Sequence, residues 1–217
     1  MGALATALLA AAAAAVGYVL FLRPWHVAWG ATEEEQVRPL PGDDVVDRPL
    51  LGATRAVTVA APPGEVWPWI AQIGHGRGGF YSCTRVPNAL FRLGLENADR
   101  IHPEWQAIAP GDAVRLAPEG RGPPPMPVRV VEPGRLLVLG GQRPDGASSW
   151  CFALYPSEGG GTRLVFRTRD RWRLGPGGLV WLALSDVGSF VLVRRMLLGI
   201  RERAERAGRT RASSRPA

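Results

Sequence analysis

The sequence contains no lysine: its 26 basic side chains are all arginine, set against 19 Asp and Glu, for a formal charge of +7. So uniform a bias reads as genomic habit and not as a binding surface. No aromatic-interleaved basic platform or groove-reading motif accompanies the arginines, which argues against nucleic acid as a partner. Cysteine is nearly missing too. Cys83 and Cys151 stand far apart, in no CxxC or Cys/His spacing, so neither a zinc site nor a disulfide framework is indicated. Two free thiols suit a reducing compartment. The three histidines, His26, His75 and His102, form no HExxH or related ligand spacing, and no metal is expected. Ser148-Ser149 and Ser185-Asp186 lie outside any G-x-S-x-G elbow. The run Gly74 to Gly79 lacks the Lys-Ser/Thr ending of a phosphate loop and follows a helical pattern instead of a strand. No cofactor is called for.

Charge is also absent from the first 22 residues, MGALATALLAAAAAAVGYVLFL. That length matches the roughly 20 residues needed to cross about 30 Å of hydrocarbon, so residues 1–22 are expected to be a transmembrane helix. Tyr18, Trp25 and Trp29 suit interfacial anchoring. A cleaved signal peptide is the rival, since Ala10 to Ala15 offers small-residue cleavage sites. Against it, no basic stretch opens the chain and the apolar run continues to Leu22. Arg23 and His26 follow the helix, and only the amino terminus precedes it, which places a single-pass protein at the cell membrane with its soluble domain in the cytoplasm.

Residues 23–52 carry three Arg against six acids and several prolines, and read as an acidic, Pro-rich linker. Within it, Thr32 before Glu33 to Glu35 is a helix start, with Pro39 and Pro41 ending it. Period-2 alternation then begins at Ala53, where ATRAVTVA sets β-branched residues against Thr54 and Arg55 in the pattern of a half-buried strand. Val66, Trp69, Ile70 and Ile73 recur at helical spacing; Gly74 to Ser82 reads as a flexible loop, and 84–95 as a short helix. Strands are expected at 113–117, 126–132, 135–141, 148–156 and 162–172, separated by turn residues such as Glu132-Pro133-Gly134 and Pro144-Asp145-Gly146. This is an antiparallel meander. Asp186 is the expected N-cap of a closing amphipathic helix bearing Phe190, Val193, Leu197, Ile200 and Ala204, while the apolar stretch Leu179 to Leu184 is expected as a buried turn. Asp99 and Arg100 are expected to bridge beside Glu104. The domain spans 53–207, and 208–217 reads as a basic, disordered tail. The pattern carries no information on oligomeric state.

With that element order, APPGEVWPWIAQIGHGRGGFYS (61–82), NADRIHPEW (97–105), SSWCFALYP (148–156) and FVLVRRMLLGIRERAE (190–205) make the chain resemble the SRPBCC (START/Bet v 1-like, polyketide cyclase/dehydrase-type) superfamily, in a bacterial membrane-anchored subgroup. Cys83 to Pro87 departs from the aromatic and acidic stretch of similar sequences. The resemblance implies an α+β helix-grip fold, a curved antiparallel sheet wrapped on a long C-terminal helix, behind the N-terminal transmembrane helix. It also implies a cavity for a hydrophobic small molecule or lipid, lined by Trp69, Ile73, Tyr81, Trp105, Trp150, Phe152, Phe166, Phe190, Val193 and Leu197. Superfamily members bind lipids or polyketides, and some catalyse cyclisation or aromatisation. For a cyclase- or aromatase-like enzyme the candidate polar groups are His75, Tyr81 and Asp99, and their convergence on one cavity is the discriminating observation. A structural or partner-binding domain would leave no cavity.

Overall fold

In the computed structural model, which describes residues 2–143, 145–173, 175 and 178–213, the uncharged N-terminal run is helical from Gly2 to Leu22. Helix α1 (Gly2–Gly17) passes into a π-helical turn (Tyr18–Leu22) and then α2 (Arg23–Val27). Pro24 explains the widened turn: it has no N–H for the carbonyl four residues back, and its ring presses on that carbonyl. The Arg23 amide reaches five residues back, to the Tyr18 carbonyl. Ala5–Val27 is long and apolar enough to cross a membrane, with a mean hydropathy of 2.1, and its most apolar stretch contains no buried residue.

Helix α3 (Glu33–Val37) starts as its sequence predicts, in a capping box where the Glu35 amide donates to Thr32 Oγ1 and the Thr32 amide to the Glu35 carboxylate. The strands β1 (Leu51–Val59), β2 (Ala113–Val114), β3 (Met126–Glu132), β4 (Leu136–Arg143), β5 (Gly146–Pro156) and β6 (Thr162–Trp172) form one antiparallel sheet in the order β1-β6-β5-β4-β3-β2. β2 to β6 are the expected meander. β1 joins at the far edge, with Leu51 opposite Asp170 and Val59 opposite Thr162. Helices α4 (Pro63–Ala71) and α5 (Arg85–Phe91) lie between β1 and β2 in the chain, and α6 (Gly178–Ser213) closes over the sheet.

Inward-facing Val57, Val59, Leu137, Leu139, Phe152, Leu154, Leu164 and Phe166 pack against Val66, Trp69 and Ile70 of α4 and Val193, Met196, Leu197, Ile200 and Ala204 of α6. Each large side chain so buried is worth about 1.5–3 kcal/mol. Two expectations for α6 change. The helix begins eight residues before Asp186, so that carboxylate is not an N-cap; it accepts from the Tyr18 hydroxyl at 3.0 Å and from Arg23 Nε at 2.8 Å. Phe190 turns from the sheet toward Trp25, His26 and Trp29. At the other end the helix takes in residues 208–213 of the expected tail, and 214–217 lie outside the described residues.

The acidic segment 23–52 does more than connect. Leu40 and Ala31 cover Leu136, Val138, Cys151, Ala153 and Val165 on the outer face of the sheet, and Val45 and Val46 cover Ala147. Arginines alternating along β6 hold it there. Arg163 binds Glu35 at 2.7 Å, Arg167 binds Asp43 at 2.7 Å, and Arg169 donates to the Val46 carbonyl. Burial, which raises the Glu35 carboxyl, is outweighed by Arg163 and Thr32, and its pKa falls below the usual range. With both faces of β1 covered, Thr54 and Arg55 are buried, contrary to the half-wet strand its alternation predicts. Arg55 is 1% exposed and donates to the His26 carbonyl at 2.9 Å; burial lowers its guanidinium to about 10.

Candidate functional site

The glycine-rich run after α4 is a hydrogen-bonded knot, where its composition predicts a flexible loop. Gly74 and Gly79 exchange amide-to-carbonyl bonds of 2.9 and 3.0 Å, and the Gly78 amide donates to the Gln72 carbonyl. Gly79 is required there: its φ is +74°, and a Cβ would lie 1.9 Å from the Glu96 carbonyl oxygen. The buried Gln72 side chain ties α4 to the following loop, donating to the Arg100 carbonyl and accepting from the His102 amide. Tyr81 follows with a φ of +54°, its hydroxyl donating to the Trp69 carbonyl at 2.9 Å. Gly199 of α6 lies so close that a Cβ would meet the Tyr81 carbonyl oxygen at 2.1 Å.

Nearer the start of α6, two clefts adjoin. The larger, about 670 Å³, lies between the ends of β1, β4, β5 and β6 and the residues Asp186, Ser189 and Val193 of α6. The smaller, about 320 Å³, is almost wholly apolar and lies between α5 with its flanking loop and α6, bounded by Phe80, Phe91, Leu95, Leu192 and Met196. Leu116, Trp150, Ser189 and Val193 line both. Trp150 is fixed edge-on to Phe80 at 6.3 Å and to Phe166 at 5.6 Å between ring centres.

The larger cleft carries the polar groups. Ser148, Thr168, Asp170 and Arg143 face it from the sheet, with Ser148 and Asp170 directly opposite across β5 and β6. Burial raises the Asp170 carboxyl to about 6, against the pull of the Ser148 hydroxyl and Arg143. A carboxyl that titrates near neutrality exchanges protons or shares a hydrogen bond with a bound polar group. Sequence inspection passed over Asp170, yet strand parity places it: in TRDRW, Thr168, Asp170 and Trp172 share the inward side, and the arginines take the other.

Of the ten residues expected to line a cavity, Trp150 and Val193 line both clefts. Trp69, Ile73, Phe152, Phe166 and Leu197 are packed core. Phe190 serves the joint with the N-terminal helix, and Trp105 stacks on His102 at 4.1 Å. Tyr81 is buried beside a separate groove along α6. The three catalytic candidates do not converge. His75 lines neither cleft, Asp99 is exposed, and burial pushes the Tyr81 phenol well above its ordinary value while its hydroxyl is held by Trp69. The expected Asp99–Arg100 bridge is absent from the described ion pairs; Glu104 pairs with His102 at 3.1 Å. Among the described residues, no group of three or more His, Cys, Asp and Glu could hold a metal ion.

No family model and no curated protein matches the chain. Solved structures do. Protein NE0264 from Nitrosomonas europaea is 13% identical with a TM-score of 0.44, over 73% of this chain and 97% of its own. Protein MLL2253 from Mesorhizobium loti is 17% identical with a TM-score of 0.43, over 72% and 98%. The Polyketide_cyc-like protein Cgl2372 from Corynebacterium glutamicum is 15% identical with a TM-score of 0.42, over 69% and 88%. By its own strand order, and by the long C-terminal helix packed on the inner face of the sheet, the chain has an α+β helix-grip fold, preceded by an apolar helix.

Proposed function

We propose that this protein binds a hydrophobic small molecule, a lipid, isoprenoid or polyketide-like compound, between its sheet and α6, in a domain tethered to the cytoplasmic side of the cell membrane by residues 1–22. The observation that carries this reading is the pair of clefts meeting at Trp150 and Val193: an apolar one beside one with serine, threonine and carboxyl groups. Their volumes lie in the range of small-molecule sites, and the division suits an amphiphile with its apolar part under α5 and its polar end at Ser148 and Asp170. A purely structural domain would gain nothing from leaving this space unfilled.

Native mass spectrometry of the full chain in mild detergent tests the reading. The expected result is an added mass that extraction identifies as an apolar or amphiphilic molecule, lost in Val193→Trp, which fills the junction of the clefts. Protein without added mass, and unchanged after incubation with total membrane lipid, would refute it. Asp170 supports a second reading, proton transfer to a bound substrate. Under that reading Asp170→Asn keeps the bound molecule and abolishes its turnover.

A further inference from the structure

The apolar stretch 179–184 is too short to cross a bilayer. It forms the first turns of α6 instead of a buried turn; the side chains of Leu179, Val180 and Trp181 lie outside the described residues. Beyond them Leu184 is 64% exposed, Val187 46%, Val191 49% and Leu192 40%. Residues 184, 187 and 191 follow one another at helical spacing on one side of α6, and Arg195 continues the row. At 1.5 Å per residue the apolar part of this stripe is about 10 Å long.

The stripe has apolar neighbours on both flanks. On one, Tyr18 meets Asp186, Trp25 packs edge-on to Phe190 at 5.3 Å, and Trp29 lies under Arg194. The contacts advance together along both segments, so the N-terminal helix and α6 run side by side in the same direction. Val19, Leu20, Phe21, Leu22 and Trp25 are all exposed there. On the other flank, Ser82 Oγ donates to the Leu192 carbonyl, and α5 exposes Val86, Leu90 and Phe91. The apolar cleft opens between these two helices.

We infer that Leu184, Val187, Val191 and Leu192 of α6, with Val86, Leu90 and Phe91 of α5, sit in the leaflet that the N-terminal helix enters, so that the cleft opens directly into lipid. This rests on the membrane-anchored reading above. The occupant is a bilayer and not a protein, because the surface is continuous with a helix fit to cross one, and because Arg194 and Arg195 follow the stripe at headgroup depth. Immersion of about 5–10 Å is what an interfacial helix reaches. Asp186, the one charged residue between 174 and 193, does not oppose it, being 5% exposed and paired with Arg23. A lipid entering the cleft would never cross water.

The test is photolabelling of the full chain in phosphatidylcholine vesicles whose acyl chains carry a diazirine, with adducts mapped by mass spectrometry. Adducts are expected in 2–22 and also in 84–92 and 182–193. Adducts confined to 2–22 overturn the inference and leave the anchor standing; adducts in none of these segments overturn the anchor as well. Chain-to-chain cross-links from a photoactivatable residue at position 187, without lipid adducts on α6, make the surface a contact between copies and also overturn it. Val187→Glu with Val191→Glu should cut adducts in 182–193 about tenfold and leave those in 2–22 unchanged, because carboxylates are disfavoured in hydrocarbon. Unchanged labelling of α6 in this variant, with near-ultraviolet circular dichroism like the parent's, sinks the inference.

Discussion

Replacing Arg167 by methionine takes five hydrogen bonds out of the outer layer at once. Its guanidinium donates to Thr54 Oγ1, to the carbonyls of Arg38, Glu35 and Gln36, and to the Asp43 carboxylate, all between 2.7 and 2.9 Å. The side chain is 7% exposed, so methionine takes the donor from Thr54 and the three carbonyls where water has little access, while Asp43 keeps the Leu40 amide and Arg169. A hydrogen bond to a charged group is worth about 1.5–3 kcal/mol, but losses around one side chain are not additive, and Asp43 recovers some hydration; a total of about 3–5 kcal/mol follows. For a domain of this size that lowers Tm by about 10 °C or more. Arg167→Lys should recover little of it, since a point charge cannot reach five acceptors spread around a planar fork. Thermal unfolding of the full chain in detergent measures the loss, and hydrogen exchange locates it, with amides of 33–46 losing protection before those of β4 and β5. If Arg167→Met unfolds within about 2 °C of the parent and exchange at 33–46 is unchanged, the segment is held by something other than the arginine row.

Asp170 makes stability depend on pH. Its carboxyl lies near 3.8 in an unfolded chain and about 6 in the fold, so the folded state holds the proton more tightly and stability falls as pH rises from about 4 to 6. Asp170→Asn should remove that slope, at most about 3 kcal/mol in total, and a parent and variant with parallel Tm–pH curves would show that the carboxyl is not buried. Gly199→Ala forces α6 away from the Tyr81 carbonyl and should cost about 1–3 kcal/mol in denaturant unfolding, although alanine is the better helix former. An unchanged midpoint would mean that the contact is loose. His75→Ala should leave affinity for a co-purified ligand within about threefold by titration, roughly 0.7 kcal/mol, because His75 lines neither cleft.

Where local chemistry decides the structure, the sequence was readable. Thr32 with Glu35 makes its capping box, the turn residues between β2 and β6 divide the meander, and Val193, Leu197, Ile200 and Ala204 mark the buried stripe of α6. What escaped is what partners decide. An acidic segment rich in proline looks solvated until the arginines of β6 are placed opposite it, more than a hundred residues away. Arg55 looked exposed because alternation assigns it a side but cannot say that the side is covered by α6 and the His26 carbonyl. Trp69, Phe152 and Phe166, expected around a cavity, are core because a domain of this size needs them there. Asp170 was hidden among arginines, though strand parity alone would have turned it inward.

The pairing of β1 with β6 also sets an order of events during synthesis. About 100 residues separate Val59 from its partner Thr162, so at ribosomal speeds β1 waits roughly 5–20 s for the strand that completes it. Throughout that interval the nascent chain holds an unpaired strand edge downstream of an apolar helix already made, open to pairing with other chains. The segment between them, which in the finished protein lies across β4 to β6, has no surface to settle on until the last strand arrives. Its Thr32–Glu35 capping box is built from neighbours alone, and it gives this stretch one element able to form before the sheet exists.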